Sequence, residues 1–223
     1  MPLINKTDEK GFTLIELLVA LALTAILTVT IGYAFRVQIF THKRQEAVAA
    51  LQQNLRTAMF FVESDLRLAG SDPNGNATIM GDTIENEGKK AGILTAEEGG
   101  VVGQPVIKLA MNRSDPPEDA DFSSIVGDES REIVQYDVNY SGGVLALRSN
   151  SQPVAEWITE LKFGYFDKDG NDLVVGGESS VRPERLNDIR RVRVTLSGQT
   201  PPDVGGIQKT LTSDVWCRNM VGR

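Results

Sequence analysis

The chain has 223 residues and a formal net charge of −7, with 30 acidic and 23 basic side chains. This acidic balance argues against nucleic acid as the main partner, because neutralising phosphates requires a basic surface. The single cysteine, Cys217, excludes an internal disulfide, so a hydrophobic core must stabilise the folded part. The length suits one anchored domain.

The first predicted element is a hydrophobic helix over residues 12–35, which contains one charged side chain, Glu16. A bare carboxylate near the centre of a bilayer costs about 2.5 kcal/mol or more, so an acid at membrane depth indicates a function. The small residue Gly11 precedes this run, whereas the cut site of an ordinary secretory signal follows it. Cleavage at Gly11 keeps the helix on the mature protein, which favours a second role such as packing in a filament. The alternative is an ordinary signal anchor that happens to contain a glutamate.

The same helix is predicted to continue as an amphipathic half over residues 36–70. Apolar side chains recur there at spacings of three and four and predict one buried face, formed by Ala47, Val48, Leu51, Leu55, Ala58, Met59, Val62, Leu66 and Ala69. Gly70 is a typical residue just beyond a helix end. Gly32 and the β-branched residues 28–31 weaken helix propensity halfway along. Either the helix bends or melts there, or the membrane suppresses the penalty.

Residues 71–223 are predicted to form a β-rich head. Residues 71–104 are rich in glycine, asparagine and acidic side chains and predict a long, mobile surface loop with at most one short element. Strands are predicted at Val106–Met111 and Val144–Arg148. A half-buried strand is predicted where Val134, Tyr136, Val138 and Tyr140, on the buried face, alternate with Gln135, Asp137 and Asn139 on the solvated face. Similar patterns predict strands at Leu161, Phe163 and Tyr165 and at Val192, Val194 and Leu196. Ser141-Gly142-Gly143 predicts a hairpin turn. One long helix followed by strands predicts an α+β fold, with an antiparallel sheet laid on the helix.

The segment 167–172 has two interpretations. Oxygen-bearing side chains follow the first three ligand positions and the twelfth position of a calcium loop, and are Asp167, Asp169, Asn171 and Glu178. The glycine that such a loop needs at its sixth position is replaced by Asp172, and Gly170 lies two places early. A hairpin turn with positive φ is therefore favoured, and no metal site is predicted.

No catalytic residue and no cofactor are predicted. His42 is the only histidine and lies beside basic residues next to the apolar run, so no base is available to activate a serine or Cys217. Cys217 is interpreted as a small buried hydrophobic residue of the last strand. A local basic cluster is interpreted as a solvated strand face, and consists of Arg182, Arg185, Arg190, Arg191 and Arg193.

The segment Gly11-Phe12-Thr13-Leu14-Ile15-Glu16 resembles the processing site of type IV prepilins and type II secretion pseudopilins. The resemblance implies that residues 1–11 are a leader and that a prepilin peptidase cuts between Gly11 and Phe12. It further implies that the new N-terminal Phe12 is methylated. Glu16, the fifth residue of the mature chain, is expected to serve filament assembly.

Further segments resemble the PilW-type minor pilins and the related J-type minor pseudopilins of type II secretion. They are Glu63–Gly70, Trp157–Asp167 and Val215–Asn219. The resemblance implies a structural subunit that primes assembly of a type IV pilus or forms its tip. A minor pseudopilin and a membrane-anchored binding domain that does not polymerise are the alternatives.

The partners implied by this resemblance are other major and minor pilins, the prepilin peptidase and N-methyltransferase, the inner-membrane assembly platform and the membrane. Nucleic acid is not expected among them. The implied location is the inner membrane with a periplasmic head, and later the pilus at the cell surface.

Overall fold

The computed structural model describes residues 11–71, 92–97, 99, 106–111, 133–174 and 178–220. The predicted leader, apart from Gly11, and most of the predicted loop 71–104 lie outside the described residues. The chain divides into two units, Met1–Glu46 and Ala47–Arg223. In the described part of the chain a long helix is followed by antiparallel strands, which confirms the predicted α+β class.

Helix α1 comprises Leu14–Leu68, 55 residues, close to the predicted range of Phe12–Ala69. It continues without interruption through residues 28–32, where the low helix propensity had left bending open. Its end follows the predicted chemistry: Gly70 has φ +77°, and the backbone N–H of Ser71 donates to the carbonyl of Leu68 over 2.8 Å. Glycine adopts this left-handed conformation without steric cost, so it ends the helix cleanly.

From Ala47 onward, one face of α1 lies in the core of the second unit. The buried side chains on this face are Leu51, Leu55, Ala58, Met59, Val62, Asp65 and Leu66. The predicted face is therefore confirmed from Leu51 onward, whereas Ala47 and Val48 are half-buried. Asp65 was not among the predicted buried residues, because the spacing of apolar residues does not predict a buried carboxylate.

Five antiparallel strands form the first sheet, in the order β1-β2-β3-β4-β5. Their bounds are β1 Ile93–Ala96, β2 Ile107–Ala110, β3 Ile133–Ser141, β4 Val144–Ser149 and β5 Gln152–Glu156. The predicted hairpin is confirmed, with Gly142 and Gly143 at φ +59° and +87° between the paired residues Ser141 and Val144. Positive φ at both central residues is what a two-residue type I′ turn requires. Within the described part of the predicted loop 71–104, strand β1 is a short element.

Strand β3 departs from strict alternation near its end. Val134, Tyr136 and Val138 are buried as predicted, but Tyr140 is 65 % exposed. Asp137, on the face predicted to be solvated, is buried and forms an ion pair with Arg148 of β4. A buried carboxylate is tolerated when a hydrogen-bonded cation accompanies it.

The second sheet has the order β6-β7-β8, with bounds Ile158–Phe166, Arg191–Gln199 and Gln208–Trp216. The apolar residues predicted to face inward on β6 and β7 are all buried, namely Leu161, Phe163, Tyr165, Val192, Val194 and Leu196. The strands thus form two sheets rather than one. Between β5 and β6 the backbone passes through Trp157 at φ +64°, an uncommon conformation for a bulky residue, and the two strands join different sheets.

Gly198 sets how closely α1 approaches the second sheet. A Cβ atom at this position would lie 2.8 Å from Cδ1 of Leu51 and 2.7 Å from the carbonyl oxygen of Trp157. Both distances are shorter than van der Waals contact, so only glycine allows this packing. The helix therefore rests directly on the backbone of β7.

Candidate processing and assembly site

The segment that precedes α1 forms a reciprocal N-terminal cap. The backbone N–H and the hydroxyl of Thr13 each donate to Oε2 of Glu16 over 2.9 Å, and the N–H of Glu16 donates to the Thr13 hydroxyl over 3.4 Å. A threonine followed three residues later by a glutamate is the sequence signature of a capping box. The carboxylate of Glu16 therefore satisfies a backbone donor that the first helical turn cannot satisfy by itself.

The junction that the sequence predicts to be cleaved lies immediately before this cap. Gly11 and Phe12 are outside the helix, and Phe12 is 93 % exposed. A Cβ atom added at Gly11 would meet no heavy atom within 4 Å. The described chain therefore imposes no requirement for glycine here, and any such requirement must come from a partner that acts on this peptide bond.

The first half of α1 has an apolar surface on all sides. Its large side chains from Leu14 to Phe40 are exposed. The hydroxyls of four threonines donate to the carbonyl four residues earlier over 2.7–2.9 Å, at Thr24, Thr28, Thr30 and Thr41. Because these hydroxyls are satisfied within the helix, they add little cost in an apolar environment. By length and composition α1 can cross a membrane.

Residues 6–32 match the family described as the prokaryotic N-terminal methylation motif. This range contains the Gly11–Phe12 junction, the capping box and the first part of the apolar helix. The motif indicates a type IV pilin-like or pseudopilin-like protein, a class of structural proteins that a prepilin peptidase processes and that assemble with other pilins. A search of curated proteins finds no match to the sequence.

Within the alternative calcium loop, the carboxylates of Asp167 and Glu178 accept hydrogen bonds from the chain itself. Oδ1 of Asp167 accepts the backbone N–H groups of Asp169 and Asn171 over 2.8 and 2.9 Å, and Oδ2 accepts the Asn171 side chain over 3.0 Å. These hydrogen bonds, led by that of the Asn171 side chain, lower the pKa of the Asp167 carboxyl. Glu178 forms an ion pair with Arg182. With Gly170 at φ +86°, the segment forms the predicted turn.

The remaining residues considered for chemistry are Cys217, His42 and the basic cluster. Cys217 is buried, and burial raises the pKa of its thiol to about 12, so the reactive thiolate is suppressed. His42 is exposed on α1. In the basic cluster, Arg191 and Arg193 share the carboxylate of Asp214 over 3.4 and 2.8 Å.

The segments Glu63–Gly70 and Val215–Asn219 meet at the end of α1. The Asn219 side chain donates to the carbonyl of Arg67 over 3.0 Å and so satisfies an unpaired carbonyl of the last turn. A Cβ atom on Gly70 would lie 3.2 Å from both the Asn219 carbonyl oxygen and Sδ of Met220. Sequence reasoning identified both segments but not their contact, because 152 residues separate Asn219 from Arg67.

Proposed function

We propose that this protein is a minor pilin, a structural subunit of a type IV pilus that primes assembly or forms the tip. The observation that carries the proposal is an exposed apolar stretch, residues 12–35, whose only charged side chain, Glu16, lies about one turn beyond the Gly11–Phe12 junction. Such a helix needs lipid first and protein neighbours later, because an apolar surface on all sides is not stable in water.

Processing is proposed to occur at the Gly11–Phe12 bond. A prepilin peptidase removes residues 1–11 and methylates the amine of Phe12. Both residues precede α1 and are exposed, which suits entry into a peptidase. Cleavage leaves the capping box of Thr13 and Glu16 in place, so the mature helix retains its N-terminal cap.

Glu16 is proposed to act in assembly rather than in export. Phe12 and Glu16 are four residues apart, which corresponds to about 6 Å of rise in a mature helix that begins at Phe12. A neighbouring subunit shifted along the filament axis by a similar distance brings its own N-terminal amine to this carboxylate. Such a pair relieves two buried charges, whereas either charge left alone in the apolar surroundings remains costly. The pairing thus checks the register of the incoming subunit.

Location and partners follow from this proposal. The first half of α1 anchors the protein in the inner membrane. The amphipathic half and the head lie in the periplasm until the assembly platform extracts the subunit into the pilus. From Ala47 onward the chain has a core of its own, with Leu51, Leu55 and Val62 each at most 3 % exposed. It is therefore expected to be folded before assembly.

A minor pseudopilin of type II secretion is the second candidate, because the methylation motif is shared by both classes. Mass spectrometry of sheared surface filaments separates the two. A minor pilin is expected among the filament proteins, and a pseudopilin is expected to stay with the cell envelope. An anchored binding domain that does not polymerise is expected to be absent from filaments and to retain Met1 or Pro2 at its N-terminus.

The Glu16→Gln variant tests the assembly role. It removes the charge but keeps an acceptor for the N–H of Thr13, so membrane insertion and cleavage should be unchanged. Incorporation into sheared filaments should fall several-fold relative to the amount of Phe12-terminated protein in membranes. A tip subunit lacks one neighbour, which limits the expected loss.

Glu46→Gln is the matched control, since Glu46 is exposed on α1 beyond the apolar run. It should enter filaments at the wild-type level. Equal incorporation of wild type and Glu16→Gln would show that the charge is not used for docking.

A further inference from the structure

Away from its buried face, the second half of α1 carries three large exposed apolar side chains. Phe60 is 66 % exposed, Phe61 45 % and Leu68 40 %. The rings of Phe60 and Phe61 meet edge to face, with their centroids 6.0 Å apart. Single exposed apolar residues are common on protein surfaces, but a cluster of them on one helix indicates an interaction site. These three side chains therefore mark a candidate contact surface.

Helical periodicity aligns this surface along the helix axis. Phe61 and Leu68 are seven residues apart, and Thr57 and Ser64 complete a line with spacings of four, three and four. We call these four residues the outer stripe, and Phe60 borders it. The stripe contains no charged side chain and alternates small residues with large ones. Such alternation forms ridges and grooves into which a second helix can pack.

The charged residues of the same segment that are not buried follow a separate line. Arg56, Glu63 and Arg67 are spaced by seven and four residues, and Arg67 forms an ion pair with Glu63. At 3.6 residues per turn, this line is rotated by about 110° from the outer stripe. The second half of α1 thus has a buried face, a charged face suited to water and an uncharged face suited to a partner without charge.

The class of this protein identifies the partner for the uncharged face. The methylation motif indicates a protein that assembles with other pilins, and its match over residues 6–32 includes the first part of the apolar helix. Other proteins with this motif therefore present an apolar helix of the same kind. Packing such a helix against the outer stripe buries apolar surface on both sides and buries no charge.

We propose that the outer stripe packs against the apolar helix of another pilin subunit, with Phe60 and Phe61 as anchors. This inference rests on the proposed function and adds a second neighbour to it. The Glu16 contact needs a subunit shifted by about 6 Å. Phe40, where the apolar half ends, lies about 30 Å of helical rise before Phe60, so a parallel subunit of the same build must be shifted at least that far. The two contacts therefore belong to different neighbours.

Photocrosslinking in intact cells tests the identity of this neighbour. Benzoylphenylalanine in place of Phe61 keeps an aromatic side chain on the outer stripe of the full-length protein. After irradiation, mass spectrometry of the crosslinked peptides should identify the apolar helix of a second protein whose N-terminus is a methylated phenylalanine. The same probe in place of Arg56, on the charged face, should give several-fold less of this product.

A charge introduced into the stripe tests whether the contact is needed. Phe61→Asp should lower incorporation into sheared filaments several-fold, while the amount of Phe12-terminated protein in membranes stays at the wild-type level. Phe61→Leu keeps an apolar side chain and should assemble normally. Arg56→Asp introduces the same carboxylate on the charged face and is the matched control. Thermal unfolding of each variant checks that the head remains folded, and the crosslink supplies a result that does not depend on the Asp variant.

The outcomes separate this proposal from the proposed function. Equal incorporation of Phe61→Asp and Arg56→Asp would overturn the stripe contact. So would a crosslink from position 61 to a head domain, to the chain's own residues or to no protein. If the wild-type protein enters filaments without the expected crosslink, the pilus role stands and the stripe contact fails. If the wild-type protein stays in the envelope but the crosslink forms, the stripe contact stands and the pilus role fails.

Discussion

The two halves of α1 share one helix but have different surfaces. Between Leu14 and Phe40 the large apolar side chains are exposed around the whole circumference. From Leu51 onward one face is buried, and the exposed remainder carries polar side chains together with Phe60 and Phe61. The first pattern is that of a helix surrounded by lipid or by other helices, and the second is that of a helix on a globular core. The comparison shows that a single regular element serves two environments, with the change near Glu46.

The largest expected effect is on processing at the Gly11–Phe12 junction, which precedes the first half of α1. Gly11→Val should block processing almost completely, because a β-branched side chain crowds a peptidase site suited to a small residue. Mass spectrometry of the N-terminus should find Phe12 in wild type and the leader retained in the variant. The control is Gly32→Ala within the apolar half, where an added Cβ also meets no atom within 4 Å. Normal cleavage of Gly11→Val would place the processing site elsewhere.

The next largest effect is on the free energy of unfolding, from a substitution in the buried face of the second half of α1. Leu55→Ala should lower the free energy of unfolding by about 2–5 kcal/mol, the usual range for a large cavity in a core. Leu68→Ala, on the exposed side of the same half, should change it by less than about 0.5 kcal/mol. Denaturant unfolding of the protein lacking residues 1–35 gives both values. An unchanged stability for Leu55→Ala would mean that this face packs against other subunits instead.

A smaller effect is expected where the helix and the first sheet share a buried polar contact. The hydroxyl of Tyr136 donates to Oδ2 of Asp65 over 2.6 Å. Tyr136→Phe removes a hydrogen bond to a buried carboxylate and should cost about 1.5–3 kcal/mol. Tyr140→Phe in the same strand changes an exposed side chain and should be neutral in the same denaturation experiment. If the two variants are equally stable, the contact does not hold the helix on the sheet.

The smallest effect concerns the end of α1. Asn219→Ala removes the donor to the Arg67 carbonyl and should cost about 0.5–1.5 kcal/mol. Asn219→Asp keeps the size of the side chain but places a negative charge at the negative end of the helix dipole, so it should cost at least as much. Thermal unfolding of both variants makes this comparison. A stabilising Asn219→Asp would contradict the capping role.

The helix and most strands were predictable because their patterns are local. The apolar spacing from Leu51 to Ala69 and the alternation in β6 and β7 each reflect which face is buried, and Gly142-Gly143 encodes its own turn. Tyr140 was wrongly expected to face inward because alternation does not reveal where a sheet ceases to be covered. Asp137 was placed on the solvated face, since its partner Arg148 lies on another strand.

The sequence by itself determined the N-terminal signal, the apolar helix with its lone carboxylate and the α+β order of the chain, because each of these is written within a few consecutive turns or strands. Only the tertiary structure decided that the strands divide into two sheets at Trp157, that Gly198 lies beneath Leu51 and that Asn219 caps the helix that ends at Leu68. These features join residues far apart in the chain. The stability that these contacts contribute depends on which distant segments meet in the folded chain. A local pattern of residues therefore cannot predict them.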